Sequence, residues 1–279
     1  MRKGQNMKKV RQVEPVREIL GGINSVTEAL RGPRKIYKLY IGKDSRNPRI
    51  EEIVNLAQNK GIAVKLTDRG ELDRLYSQAP HQGVVMEAEP YRYADLQDVL
   101  EQVAAAGDQA LLLVLDGVED PQNLGAIIRT AECAGVNGII LPRHHSAAIT
   151  PAVVRASAGA TEHMAVVRET NLVNTLKELK KAGMWVVGAD MEGSAEYFRT
   201  KMPCPAVLVI GGEGRGIRRL VRENCDLLVR IPMYGQVNSL NASVAAALLI
   251  YELVRQRSAA NPAVSPGAYL DETLTNSYN

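Results

Sequence analysis

The stretch Leu111-Leu112-Leu113-Val114-Leu115-Asp116-Gly117-Val118-Glu119-Asp120-Pro121-Gln122-Asn123 decides how this chain must fold. Five apolar residues in a row form a strand with no polar face. A polar turn follows, and a helix begins near Asn123. A strand that is apolar throughout is buried on both faces, so its sheet needs a layer on either side. The pattern recurs in the C-terminal half, with apolar runs at 138–141, 164–167, 185–189, 206–210 and 227–231. Helical segments separate the runs, for example 171–182, which Gly183 ends. This alternation predicts an α/β domain, a parallel sheet with helices on both faces. Ligands in such sheets bind beyond the carboxyl ends of the strands, so each loop leaving a strand is a site candidate.

Outward from this core, 279 residues predict more than one domain. Residues 14–90 read as a small α/β unit. A helix capped by Asn24 or Ser25 stops at Gly32-Pro33, and an apolar face at Ile50, Ile53, Val54 and Leu56 marks a second helix over 49–60. Strands are predicted at 36–41, 62–66 and 83–87. Residues 91–107 read as a linker with an amphipathic helix, and 108–257 as the second domain. The helix from about Leu240 to Arg257 is apolar nearly all round in its first half, which demands burial or a subunit interface. Residues 1–13 read as a basic flexible tail, and 258–279, with no Lys or Arg, as a disordered one.

The net charge of +3 hides an uneven distribution. Arg2, Lys3, Lys8, Lys9 and Arg11 precede any acid, and Arg31, Arg34, Lys35, Lys38, Lys43, Arg46 and Arg49 share their segment with Asp44 alone. Such clusters suit phosphate contacts, or a solvated surface. The aromatic share of 4% argues against recognition mainly by base stacking. Cys133, Cys204 and Cys225 are odd in number and widely spaced, against both a disulfide frame and a zinc site. No apolar run approaches the roughly 20 residues of a membrane span, and the basic start lacks the apolar stretch of a signal peptide. A cytoplasmic protein is expected, without metal or membrane.

Three segments can carry chemistry. In the first, Asp120 or Asn123 is a helix cap, while Arg129, six residues on, faces a ligand or a surface ion pair. The second, Gly211-Gly212-Glu213-Gly214-Arg215-Gly216-Ile217-Arg218, lacks both the Lys and Ser/Thr of a phosphate loop and the spacing of a dinucleotide fingerprint. It is either a plain tight turn with an exposed Glu or a place where backbone approaches a ligand. In the third, Ile231-Pro232-Met233 leads to Asn238, Ser239, Asn241 and Ser243 at the mouth of the apolar helix. Capping accounts for one of these polar residues and leaves the others to be explained.

Together these segments resemble the motifs of the SpoU (TrmH-like) RNA ribose methyltransferases, in the family's order: Asn-x-Gly-Ala-x-x-Arg at 123–129, Gly-Gly-Glu-Gly-x-Gly at 211–216, and Ile-Pro-Met with Ser-Leu-Asn-x-Ser at 231–243. Arg-Ala-Ser-Ala-Gly-Ala at 155–160 is similar to a further shared stretch. Gly21-Gly22-Ile23 and His81-Gln82-Gly83 resemble the substrate-binding domain of the RlmB branch, which is similar to ribosomal proteins that grip kinked RNA. The likeness implies a deep trefoil knot in the C-terminal domain, a homodimer formed through it, and transfer of a methyl group from S-adenosylmethionine to a ribose 2′-hydroxyl of structured RNA, a guanosine of large-subunit ribosomal RNA. It implies cofactor contacts at Gly211, Ile231, Met233 and Leu240 and catalytic roles for Arg129, Asn123, Glu213, Ser239 and Asn241. Arg34, Lys35, Arg155 and Ser157 are the RNA-contact candidates. The family's account makes Arg129 a base. Since arginine stays protonated, it instead suits gripping a phosphate and stabilising the alkoxide. The competing readings are a transfer-RNA or resistance-type methyltransferase and a non-catalytic RNA-binding or assembly protein.

Overall fold

The computed structural model describes residues 16–260. The N-terminal unit runs β1 (Glu18–Gly21), α1 (Ile23–Arg31), β2 (Ile36–Gly42), α2 (Arg49–Asn59), β3 (Val64–Thr67), α3 (Arg69–Leu75) and β4 (Val84–Ala88). Its sheet has the order β1-β4-β2-β3, with β4 antiparallel to both neighbours. The C-terminal unit runs α4 (Leu96–Ala106), β5 (Leu111–Asp116), α5 (Pro121–Cys133), β6 (Gly138–Pro142), α6 (Pro151–Ala156), β7 (Val166–Glu169), α7 (Leu172–Lys181), β8 (Trp185–Ala189), β9 (Ala195–Glu196), β10 (Ala206–Gly211), α8 (Arg219–Arg222), β11 (Leu227–Arg230) and α9 (Ala242–Ala260). Every strand pair of the resulting sheet, β7-β6-β5-β10-β8-β11-β9, is parallel. All six residues of β5 are buried, as an apolar strand in a two-sided sheet must be.

The six apolar runs are the six long strands, each within two residues of its expected bounds. The segment 91–107 packs on the C-terminal unit. Ala94 bridges to Val167 of β7, and Val99 and Val103 of α4 enter the core beside Leu112 and Ile140. Tyr91 Oη donates to the Met164 carbonyl at 2.7 Å, and the Ile149 amide donates to Tyr93 Oη at 2.8 Å. Within the chain, α9 is covered on one side only. Ala246, Leu249, Ile250 and Leu253 are fully buried, whereas Val244, Leu248 and Tyr251 are 48%, 39% and 49% exposed. Helix α5 and the sheet lie against one side of α9 and leave the other open. It also continues to Ala260, past the predicted end. The rest of the expected tail, and residues 1–13, lie outside the described residues.

The two units share an ion-pair junction that corrects the reading of Arg34. Its side chain is only 4% exposed, with Nε donating to Glu162 Oε2 at 3.0 Å, Nη2 2.9 Å from Glu162 Oε1, and Nη1 donating to Glu18 Oε2 at 3.3 Å. The guanidinium also lies 5.6 Å from the Tyr91 ring centroid. With its donors turned inward, Arg34 joins the two units and cannot meet RNA. Burial pushes the Glu162 carboxyl above the usual range, although Arg34 pulls it down.

Arg34→Ala leaves Glu162 buried without its partner, a loss of about 3 kcal/mol at neutral pH. Because the folded state then holds a proton on Glu162 more tightly than the unfolded state, the deficit should shrink as pH falls toward the ordinary carboxylate range. Urea unfolding at pH 7.5 and pH 5 checks this; equal deficits at both would contradict it.

Candidate active site

Strand β10 lies between β5 and β8, so the loops that leave β5 and β10 meet over the carboxyl end of the sheet. The Gly212 amide donates to the Asp116 carbonyl at 2.8 Å, and Gly212 forms an isolated bridge with Gly216. A Cβ at Gly212 would overlap the Gly117 carbonyl, and one at Gly211 the Gly216 backbone. Only glycine lets this loop lie so close to its neighbours. Its exit is held by Asp116, 1% exposed, whose Oδ2 accepts from the Arg218 amide at 2.8 Å and whose Oδ1 accepts from Arg218 Nε at 2.6 Å.

The three segments converge on one carboxylate. Glu213 Oε1 accepts from Asn123 Nδ2 at 2.8 Å and from Asn241 Nδ2 at 3.0 Å. Asn241 Nδ2 also donates to Asn123 Oδ1 at 2.9 Å. Capping is divided so as to leave these groups free. Asp120 caps α5 by accepting from the Gln122 and Asn123 amides, so the Asn123 side chain is available. Asn241 Oδ1 accepts from the Ser243 amide at 2.9 Å and from Ser243 Oγ at 2.6 Å, while its amide nitrogen serves the network.

Beside this knot of amides is an open cleft of about 770 Å³. Gly211, Ile231, Met233 and Leu240 all line it, together with Glu213, Ser239 and Asn241. Its far wall holds a group the sequence reading missed: Arg222 reaches Asp190 through Nε at 2.9 Å and Glu192 through Nη2 at 3.0 Å. Asp190 directly follows the apolar run 185–189, so the strand-end rule applied to that loop would have found it.

Arg129 is exposed on α5, makes no hydrogen bond or ion pair among the described residues, and does not line the cleft of its own chain. Ser239 lines the cleft without a hydrogen bond among those residues. Arg155 is exposed, close enough to Tyr76 to act on its hydroxyl electrostatically. Lys35 is exposed. Ser157 is corrected: it is fully buried, its Oγ donating to the Val154 carbonyl at 2.9 Å, which leaves nothing to offer RNA. Among the described residues no cluster of His, Cys, Asp and Glu has the makings of a metal site, and no helix is long and apolar enough to cross a membrane.

Residues 110–251 match the model of the SpoU rRNA methylase family, and residues 19–94 match that of the RNA 2′-O ribose methyltransferase substrate-binding domain. The chain belongs to the SpoU family. It is an RNA methyltransferase. YacO of Bacillus subtilis (strain 168), named for the TrmH family of tRNA/rRNA methyltransferases, is 43% identical over 237 residues, 85% of this chain and 95% of that one. Among solved structures, the SpoU methyltransferase AviRb from Streptomyces viridochromogenes in complex with AdoMet matches with a TM-score of 0.72 and 26% identity, covering 87% of this chain and 91% of that one. AdoMet-bound rRNA methyltransferase from Sinorhizobium meliloti gives 0.72 and 28%, covering 86% and 87%.

The SpoU site carries its own test of the amide network. Asn123→Asp replaces a donor to Glu213 with a second carboxylate. The variant should lose about 1–3 kcal/mol near pH 8, and regain much of it toward pH 5, where the two carboxyls can share a proton. Thermal unfolding across that range reads the effect, and a pH-independent deficit would contradict it.

Proposed function

We propose that this chain moves a methyl group from S-adenosylmethionine to a ribose 2′-hydroxyl of structured RNA, with a guanosine of large-subunit ribosomal RNA as the target. The observation that carries the reading is the convergence of Asn123, Glu213 and Asn241 beside a cleft where glycine and apolar side chains meet a charged and polar wall. The cleft fits the donor. It lacks the Lys and Ser/Thr cradle of a phosphate loop, which a cofactor without phosphates does not need. Of its lining carboxylates, Asp190 and Glu192 are paired with Arg222, whereas Glu213 is held by neutral amides and suits a ligand that carries a sulfonium and an ammonium. Its volume lies in the range of small-molecule sites.

S-adenosylmethionine supplies an activated methyl group when bound. The chain's part is alignment, because an in-line displacement needs the ribose oxygen about 3 Å from the methyl carbon, and positioning alone is worth about 7–11 kcal/mol. Gly211, Ile231, Met233 and Leu240 hold the donor. Glu213, fixed by Asn123 and Asn241, and the free hydroxyl of Ser239 orient the ribose and the donor. Arg129, protonated at any working pH, grips the adjacent phosphate and stabilises the charge growing on the oxygen. The ribosomal target is favoured over transfer RNA by the cation-rich N-terminal unit.

The working form is a homodimer through the C-terminal domain, with the open face of α9 (Val244, Leu248, Tyr251) as its seat. The knot belongs to the same proposal: α9 returns from the loop after β11 to pack on α5. Arg129 lies outside the cleft of its own chain, and we infer that it serves the neighbouring subunit's site.

Arg129→Lys, with charge kept but the guanidinium fork lost, should lower methyl transfer at least a hundredfold while calorimetric binding of S-adenosylmethionine stays within twofold of wild type. Near-normal turnover would remove Arg129 from the reaction, and a wild type that binds no S-adenosylmethionine would defeat the enzyme reading. Mixing inactive Arg129→Ala and Asn241→Ala proteins should restore partial activity, since a mixed dimer holds one site with both residues intact. No recovery after subunit exchange would place Arg129 in its own chain's site.

A further inference from the structure

The N-terminal sheet buries one face against α1 and α2 through Leu20, Leu39, Ile41, Val84 and Met86. Its opposite face is covered only in part. Leu72 and Tyr76, from α3 and its end, pack on Tyr40 and Val85. The rest of that face stays open, and the chain has placed cations and a ring there by an irregularity in β2.

Regular pleating would send Ile36 to the same side as Lys38, and Tyr37 inward with Leu39. The register of β2 against β4 shifts between Ile36 and Lys38, so one extra residue sits in the strand. Such a bulge re-aims side chains. Ile36 packs on the core, and Tyr37 joins the outer face. There the Arg17 guanidinium lies 5.0 Å and the Lys35 ammonium 5.3 Å from its ring centroid. The Lys38 ammonium stands 5.0 Å over the Tyr40 ring, and that of Lys65 5.8 Å from it.

The acids on this face already have partners. Glu87 takes Arg17 at 2.6 Å and the Tyr40 hydroxyl; Glu71 takes Lys65 at 2.8 Å and the Thr67 hydroxyl. Lys35 and Lys38 make no hydrogen bond or close ion pair among the described residues, although Glu87 and Glu71 both feel the Lys38 charge. Cations held over an aromatic ring without a close ion pair, as Lys35 and Lys38 are, make the combination with which proteins hold a single-stranded nucleic acid: stacking for a base, charge for its phosphates. Ahead of the described residues the sequence carries Arg2, Lys3, Lys8, Lys9 and Arg11 with no acid before Glu14.

We propose that this open sheet face, centred on Lys35, Tyr37 and Lys38, is a docking surface for an unpaired RNA strand, the Tyr37 ring taking a base and the two ammonium groups its flanking phosphates. The proposal rests on the reading of the chain as an RNA methyltransferase and says where its substrate is gripped away from the reacting ribose. It replaces Arg34 in that role and assigns Tyr37 and Lys38, which the motifs do not mark.

The test compares equilibrium binding of the full-length protein to unmodified, in vitro transcribed bacterial large-subunit ribosomal RNA and to a transfer-RNA transcript, over a range of salt. Lys35→Ala with Lys38→Ala should weaken binding at least tenfold and reduce the salt slope by about 1.4, the value for two phosphate contacts on a single strand. Tyr37→Ala should weaken it about tenfold and Tyr37→Phe should not. Lys177→Ala with Lys181→Ala, an equal charge change on α7, should leave binding within twofold. Calorimetric binding of S-adenosylmethionine should be unchanged in every variant, which excludes misfolding. Unchanged RNA binding by the Lys35/Lys38 pair, or equal weakening by the α7 pair, would overturn the proposal, as would a wild type that binds neither RNA. Failure of the wild type to methylate either RNA while still binding it would count against the proposed function and not against the docking surface.

Discussion

The paired hydrogen bonds from Asn123 and Asn241 to the single oxygen Glu213 Oε1 are the contact on which the active end of the molecule depends. The two bonds, the first part-buried and the second exposed, span 90 and 28 residues of chain. They fix a loop that would otherwise be the least ordered part of the sheet end, since it contains four of the chain's glycines. Asp116 completes the brace by holding Arg218 at the loop's exit. The sheet order makes this possible: β10, late in sequence, is inserted beside β5, so two loops about 95 residues apart become neighbours.

The strands were readable because a fully buried strand needs no pattern beyond a run of apolar residues. Strand β1 escaped notice because its four residues include Glu18 and Gly21, and β9 because it has two residues. The packing of α4 was hidden because an amphipathic helix reads alike in a linker or against a core. For α9 the composition said apolar, but which side is covered depends on where α5 lies.

The candidate site shows the same division. Its polar residues stood out jointly in three segments, yet sequence left open whether Asp120 or Asn123 caps α5. Asp120 does, and that frees Asn123 for Glu213. Arg34 and Lys35 are adjacent cations with opposite fates: one is held by Glu162, 128 residues away, and the other is exposed. No local pattern separates them. The Tyr37 bulge was equally invisible, because it is a property of how β2 pairs with β4.

The central claim is that this assembly methylates ribose in RNA. Mapping 2′-O-methylation across ribosomal and transfer RNA from cells with and without the gene tests it most directly. The account predicts that one ribose methyl, on a guanosine of the large-subunit RNA, disappears in the deletion strain and returns with the wild-type gene but not with Glu213→Ala. Unchanged ribose methylation in both RNA classes, or loss of a base methyl in its place, would contradict it.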